Sequence, residues 1–334
     1  MSEILDNIRA RWADLNSESS TENITARYRI GGSASFGVFL LIKYPQKAPA
    51  IELGPIGIDI VKSSPLPAMK GLKQGLSTEA DKIYLTIDLK IVSAIDVFLI
   101  LAARLCEELD GIRKPITAYN KIHNVLFQWQ SFFASDRKAL SRARQIGLAG
   151  ELLLILKALD KEMDPDDLLK SWKGSERKHH DFQFDGFALE VKSTTANKTD
   201  EIEITSLRQL DNTGAGDLYL SQVLLDEHEY GDQALPDLVA KMRKAYRSLE
   251  KSALDLEEKL LMAGYQDKDA NDYVSPSYTL RLIKSYLVDE SFPKLTGNDI
   301  PDGVLEASYK ISVANLQDNV LGFDTLLDRH EGEL

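Results

Sequence analysis

Between His180 and Thr195 the chain reads HDFQFDGFALEVKSTT, and two carboxylates within it are spaced so that a hairpin would set them side by side. Asp185-Gly186 is a strong two-residue hairpin signal, because the type I′ turn needs positive φ at both central positions. Folding there places Phe184 against Phe187, Gln183 against Ala188, Phe182 against Leu189 and Asp181 against Glu190. Directly opposed residues hold their Cβ atoms about 4.5–5.5 Å apart. Side chains alternate along a strand, so Phe182, Phe184, Phe187, Leu189 and Val191 share an apolar face, and Asp181, Glu190 and Lys192 share the other. Two adjacent carboxylates repel, and one would tend to keep its proton. A hard cation removes the conflict, since Mg²⁺ binds through one or two carboxylates together with water and substrate phosphates.

A third acid lies upstream. In SRARQIGLAGELLLILKALD, Ser141 is a plausible N-cap and Ile146, Ala149, Leu152, Leu153, Leu156 and Leu159 make a broad apolar helix. Glu151 sits among them, and a carboxylate in apolar surroundings is costly unless it is paired or bound to a metal. Glu151, Asp181 and Glu190 could therefore hold one or two Mg²⁺, which would orient a scissile phosphate and lower the pKa of a water. Lys192 would position or help deprotonate that water and stabilise developing negative charge. Gln209, in the first turn of a helix starting at Thr205-Ser206, could hold the water or a backbone phosphate. The bland alternative is a surface hairpin on which Glu190 and Lys192 form a solvated pair. A bare ExK supports nothing more than that. The Asp181 register, the apolar back face and the helix acid are what favour a metal site.

The elements that must carry these residues follow from periodicity. Residues 3–15 read as an amphipathic helix. Strand patterns follow at 36–44, 51–61 and 82–89, with Gly31-Gly32 and SSPLPAMKGLKQG as punctuation. GGSASFG does not follow a strand and open a helix, as a phosphate loop requires. Helices are expected from Ser93 to Leu109 and from about Thr117 to Phe133, then the Glu151 helix, the hairpin, a strand at Ile202–Ile204, a helix start and a strand at 217–225. A long charged helix over Asp237–Ala263 and a strand at 304–313 close the chain. The expected division is a β-rich domain (1–92), a helical bridge (93–135), a core with a mixed sheet (136–230) and a C-terminal helix and strand region (231–334). The fold class is α/β (α+β).

Of 334 residues, 43% are hydrophobic and 28% charged, ordinary values for a soluble globular protein. The single cysteine, Cys106, lies in the apolar run VFLILAARLCEEL, which excludes an internal disulfide and a cysteine-rich zinc module and fits a reducing compartment. The first fifteen residues lack the apolar core of a secretory signal, and Asp96 interrupts the longest apolar run, so a cytoplasmic protein with no membrane span is expected. A net charge of −12 disfavours indiscriminate polyphosphate binding. Three basic clusters still stand out: Arg137-Lys138-Arg142-Arg144, Lys170-Lys173-Arg177-Lys178 and Lys241-Arg243-Lys244-Arg247. Solvated helix faces are the better reading of each cluster taken singly.

The series Glu151, Asp181, Glu190-Val191-Lys192 resembles the PD-(D/E)XK nuclease superfamily. It is most similar to an uncharacterised bacterial family of PD-(D/E)XK motif proteins, through GLAGELLLILKAL, SWKG, DFQFDGFALEVKST, ITSLRQL and FPKLTGNDIPDGVLEASYKI. The resemblance implies a restriction-endonuclease-like αβββαβ core. Glu151 matches the helix acid, Asp181 the strand acid, Glu190 and Lys192 the ExK pair and Gln209 a less uniform fourth motif. The implied metal ligands are Asp181, Glu190, Glu151 and the Val191 main-chain carbonyl. The implied cofactor is Mg²⁺ with Mn²⁺ as a substitute, and the implied activity is DNA endonuclease in restriction or phage defence, with DNA, defence-system proteins or a second copy as partners. The alternative is a catalytically silent PD-(D/E)XK scaffold that binds DNA or assembles a defence complex. His180 stands where the motif has proline. Adjacent histidines on a strand face opposite ways, so His179 and His180 do not make a zinc site.

Overall fold

The computed structural model describes residues 2–133, 139–174, 180–195, 199–211, 216–231, 233–296, 299–301, 304, 307–316 and 320–330. The chain divides into two compact units, one of residues 1–138 with 247–261 and the other of residues 139–246 with 262–334.

The first unit is built on an antiparallel sheet of β1 (Thr25–Gly32), β2 (Gly37–Lys43), β3 (Ala48–Gly54), β4 (Leu72–Glu79) and β5 (Lys82–Leu89), in the order β1-β2-β3-β5-β4. Alternation sends Val38, Leu40, Ile51, Leu53, Leu85 and Ile87 into the core, where α1 (Glu3–Ser17) and α3 (Ile95–Leu109) pack. The opposite face carries Arg27, Glu52, Lys43 and Asp88 as ion pairs. Almost every residue of α3 is buried, as expected of a helix apolar on all sides. Cys106 is buried there, and burial pushes its thiol up to about 12.

Several expectations change in this unit. The 51–61 strand stops at Gly54, and residues Ile58–Ser63 form a short helix, α2, because Pro55 cannot donate to a ladder. The first half of β4, Leu72 to Gly75, arises from residues that read as punctuation. The strand is made by its hairpin with β5, where Ala80 (φ 47°) and Asp81 (φ 61°) both take positive φ, the pattern of a type I′ turn. The helices expected as a bridge at 93–135, α3 and α4 (Pro115–Phe133), belong with this sheet rather than standing apart. The long helix expected over 237–263 is two helices, α7 (Leu235–Ala245) and α8 (Glu250–Ala263), and α8 places its residues up to 261 in the first unit. There Arg104 gathers Glu107, Asp255 and Glu258.

The second unit carries the candidate site. After α5 (Arg142–Leu159) and α6 (Pro165–Ser171, capped by the Asp164 side chain) come β6 (Phe182–Gln183), β7 (Phe187–Thr194), β8 (Glu201–Ile204) and β9 (Asp217–His228). β10 (Ser277–Leu287), β11 (Tyr309–Ser312), β12 (Val320–Gly322) and α9 (Phe323–Arg329) follow. The main sheet has the order β12-β10-β9-β7-β6. β7 and β9 are parallel, and the other pairs are antiparallel.

Parallel neighbours need a crossover connection, and β8 lies in the crossover from β7 to β9. It therefore leaves the main sheet and pairs with β11. Ile202, Ile204 and Ile311 from that two-stranded sheet cover Ala188, Leu218, Leu220 and Tyr286. The three expected strands occur in sequence order, but only two of them share the main sheet. The expected helix after β8 is a single 3-10 turn at Leu207–Leu210 with Ser206 as its cap. The regions expected as a separate core (136–230) and C-terminal part (231–334) interleave in one unit, since β10 and β12 complete the sheet begun by β7 and β9.

Candidate active site

The hairpin has the expected register: Phe182 pairs with Leu189 and Gln183 with Ala188. The Phe184 amide donates to the Phe187 carbonyl at 2.9 Å, which makes Asp185-Gly186 the tip. The turn type differs, because only Gly186 has positive φ (90°). Phe182, Phe187, Leu189 and Val191 are buried, Phe184 is half-buried, and the rings stack, Phe184 on Phe187 at 4.5 Å. Ala188 and Glu190 on the other face are buried as well. The solvated-hairpin alternative is thereby overturned: β7 is an interior strand.

Asp181 lies just before β6 and is held from two sides. Its carbonyl accepts from the amides of Lys173 (2.6 Å) and Gly174 (2.9 Å), and its Oδ2 accepts from the Val191 amide at 2.8 Å. A strand residue turns its N–H and C=O to the same edge, so the Val191 carbonyl is directed to the edge where Asp181 sits. Lys192 Nζ pairs with Glu190 Oε1 at 2.9 Å.

Glu151 comes from α5, which lies close on β7 because Gly150 has no side chain: a Cβ there would stand 1.9 Å from Ser193 Oγ. Glu151 Oε2 accepts from Trp172 Nε1 at 2.6 Å. A Cβ on Gly174 would fall 2.6 Å from Asp181 Oδ1 and 3.0 Å from Glu151 Oε2, so the two carboxylates meet over that glycine. Gly174→Ala is therefore expected to lower stability by roughly 1–3 kcal/mol, the usual cost of overpacking, and to displace Asp181 or Glu151. Thermal unfolding and a structure of the variant would check this.

All three acids hold their protons more tightly than usual. Burial raises Glu151 well above the ordinary carboxylate range, and Asp181 and Glu190 add to it, while the Trp172 hydrogen bond and Lys192 oppose. Burial also raises Asp181, against the pull of the Val191 amide and Lys192. Glu190 is pushed up to about 8, by burial first and by Asp181 second. Fully ionised, three carboxylates and one ammonium leave two uncompensated negative charges. Hard oxygen donors with that deficit suit a divalent cation such as Mg²⁺. Among the described residues, no three His, Cys, Asp or Glu side chains are arranged as metal ligands. Instead each acid faces a protein donor: Trp172 for Glu151, the Val191 amide for Asp181 and Lys192 for Glu190. The chemistry of the donor set fits the ion, and the side-chain orientations are those of acids satisfied by the protein.

Among the described residues no hydrogen bond joins Gln209 to the acids or Lys192. Gln209 Oε1 accepts from the Thr205 amide at 2.9 Å and hydroxyl at 3.2 Å, folding the side chain onto its own loop. The 3-10 turn that carries it follows β8, which pairs with β11 outside the main sheet. His180 is buried, and His179 lies outside the described residues. Of the basic clusters, Arg137, Lys138, Arg177 and Lys178 lie outside the described residues. Arg142 pairs with Glu227, Lys170 with Asp167 and Arg243 with Asp267, which suits solvated structural faces. Trp172 and Gly174 are site residues that the hairpin pattern does not reveal. The signal for them was SWKG, present as a likeness without a role.

A mixed sheet crossed by a helix, with three acids and a lysine gathered at one edge, defines an α+β protein with a carboxylate–lysine centre. The chain belongs to the family DUF4420, described as "Putative PD-(D/E)XK family member", whose model matches residues 8–314. No curated protein and no solved structure matches the chain. No helix among the described residues is long and apolar enough to cross a membrane.

Proposed function

We propose that this protein is a divalent-metal-dependent DNA endonuclease whose centre is Glu151, Asp181, Glu190 and Lys192. One observation carries the reading: Glu151 from a helix and Asp181 from the hairpin's first arm meet over Gly174, while Glu190 on the second arm pairs with Lys192 and Val191 binds Asp181. Such a cluster is unfavourable for the fold alone, and perturbed acids of this kind gather at functional sites. Membership of the PD-(D/E)XK family supports the same chemistry.

On this reading Asp181, Glu190, Glu151 and the Val191 carbonyl hold Mg²⁺ or Mn²⁺, which when bound would polarise the phosphodiester and activate water. Val191 N–H keeps Asp181 in place, and Trp172 orients Glu151. Lys192 supplies the positive charge that meets the pentavalent phosphate and helps hold the attacking water. Restriction or phage defence, with partner subunits or a second copy of the chain, is the setting proposed from the family.

The test is incubation of the purified protein with plasmid and linear DNA in Mg²⁺, Mn²⁺ or EDTA. Cleavage that requires the metal is the expected result. Tight DNA binding without cleavage in either metal would instead assign the protein to a non-cleaving scaffold.

A further inference from the structure

Lys192 has a neighbour that its salt bridge does not use. In the parallel pairing of β7 with β9, Lys192 stands directly beside Gln222, and in the antiparallel pairing of β9 with β10 Gln222 stands beside Lys284. Direct partners lie on the same sheet face, one strand spacing of about 4.8 Å apart. Gln222 is only 1% exposed. Its Nε2 donates to the Thr199 carbonyl at 2.9 Å. A carbonyl can only accept, so the amide cannot be the other way round. Gln222 Oε1 is therefore a buried acceptor, and among the described residues it has no hydrogen-bond partner. Leaving a buried acceptor unsatisfied is costly, and such groups call for an explanation.

The donor that fits is an ammonium. Lys192 now spends its charge on Glu190 Oε1. A divalent cation taken up by Glu190 would draw that oxygen away and repel the ammonium from it. We propose that Gln222 is a positioning residue: its Oε1 receives the Lys192 ammonium when Glu190 is engaged elsewhere, and it holds the lysine on the reacting face. The inference rests on the proposed metal-dependent reading of the site. Lys284, the other lysine beside Gln222, lacks this trigger. Its neighbour on the far strand is Gly322, which leaves it room to turn to solvent.

Two measurements decide the matter. The first needs no metal. In a crystal structure of Glu190→Gln the salt bridge is weakened, and Lys192 Nζ is expected within hydrogen-bond distance of Gln222 Oε1. An ammonium turned to solvent, with Gln222 Oε1 still unpaired, overturns the proposal. The second is Mn²⁺ titration by calorimetry. Gln222→Met keeps the volume and removes the acceptor, and should weaken Mn²⁺ binding about tenfold, the scale of one hydrogen bond to a charged group.

Because Gln222 acts through Lys192, that loss should vanish in a Lys192→Met background and persist in a Lys284→Met background. Equal weakening in the Lys192→Met background would mark Gln222 as merely structural and overturn its role. A wild-type protein that binds no Mn²⁺ defeats the metal reading, while the Glu190→Gln structure still decides the Gln222–Lys192 contact.

Discussion

Asp181→Asn is expected to leave the protein more stable and without activity. The asparagine Oδ1 can still accept the Val191 amide that Asp181 Oδ2 accepts at 2.8 Å, so the hairpin junction is preserved. What disappears is the negative charge that raises both Glu151 and Glu190. Relieving two buried repulsions at pH 8 should add about 0.5–2 kcal/mol in the absence of metal, the range seen when a functional site is relaxed. The same change removes a metal-binding charge and should lower cleavage by at least about 100-fold, as loss of a single transition-state stabiliser does.

Lys192→Met gives the informative contrast. It should lose cleavage to a similar extent but also lose stability at pH 8, because the acids then have no ammonium among them. Melting curves at pH 8 in EDTA, beside cleavage rates in Mn²⁺, read out both halves. A purely structural cluster would show Asp181→Asn destabilised and its activity, if any, untouched.

The metal-free protein should also melt at a lower temperature at pH 8.5 than at pH 5.5. Glu151, Asp181 and Glu190 all titrate higher in the folded chain than in the unfolded one. As pH climbs, the unfolded chain releases these protons first, so it is favoured. Stability is fully present below the unfolded carboxylate range of about 4–4.5 and falls as pH rises toward the folded values, which for Glu190 is about 8. At roughly 1.36 kcal/mol per pKa unit, Glu190 alone accounts for a loss on the order of 5 kcal/mol across that whole range.

Mg²⁺ or Mn²⁺ at pH 8.5 should restore most of the loss, since a ligand of the folded state stabilises it by mass action. Asp181→Asn should flatten the pH slope. Differential scanning calorimetry across pH in EDTA and in Mn²⁺ measures all three. A profile that rises toward pH 8.5 in EDTA would mean that the acids ionise freely and the cluster is not strained.

What could be read from the chain was whatever depends on local periodicity. The 180–195 hairpin was legible because an Asp-Gly pair between two alternating segments leaves one register that buries the phenylalanines. The Glu151 helix was legible because its apolar residues recur at helical spacing. The juxtaposition of Asp181 and Glu190 followed from the Asp-Gly turn and the period of two together.

The fold around them depended on partners that sequence order does not reveal. β4 exists because β5 pairs with it, although its first four residues lie in a stretch that reads as punctuation. A short strand such as Ile202–Ile204 carries the same pattern whether it joins the main sheet or crosses over it. The parallel pairing of β7 with β9 decided that, and Gln209 follows β8 with its side chain bonded to Thr205.

The same holds for the finer chemistry of the site. Trp172 on Glu151, Gly174 beneath two carboxylates and Gln222 beside Lys192 are contacts between residues far apart in the chain or on non-consecutive strands. The types and spacing of Asp181, Glu190 and Lys192 determined which chemistry is proposed for this protein. How tightly its acids hold their protons was decided only by tertiary burial, because desolvation depends on what packs around a carboxylate and not on what precedes it.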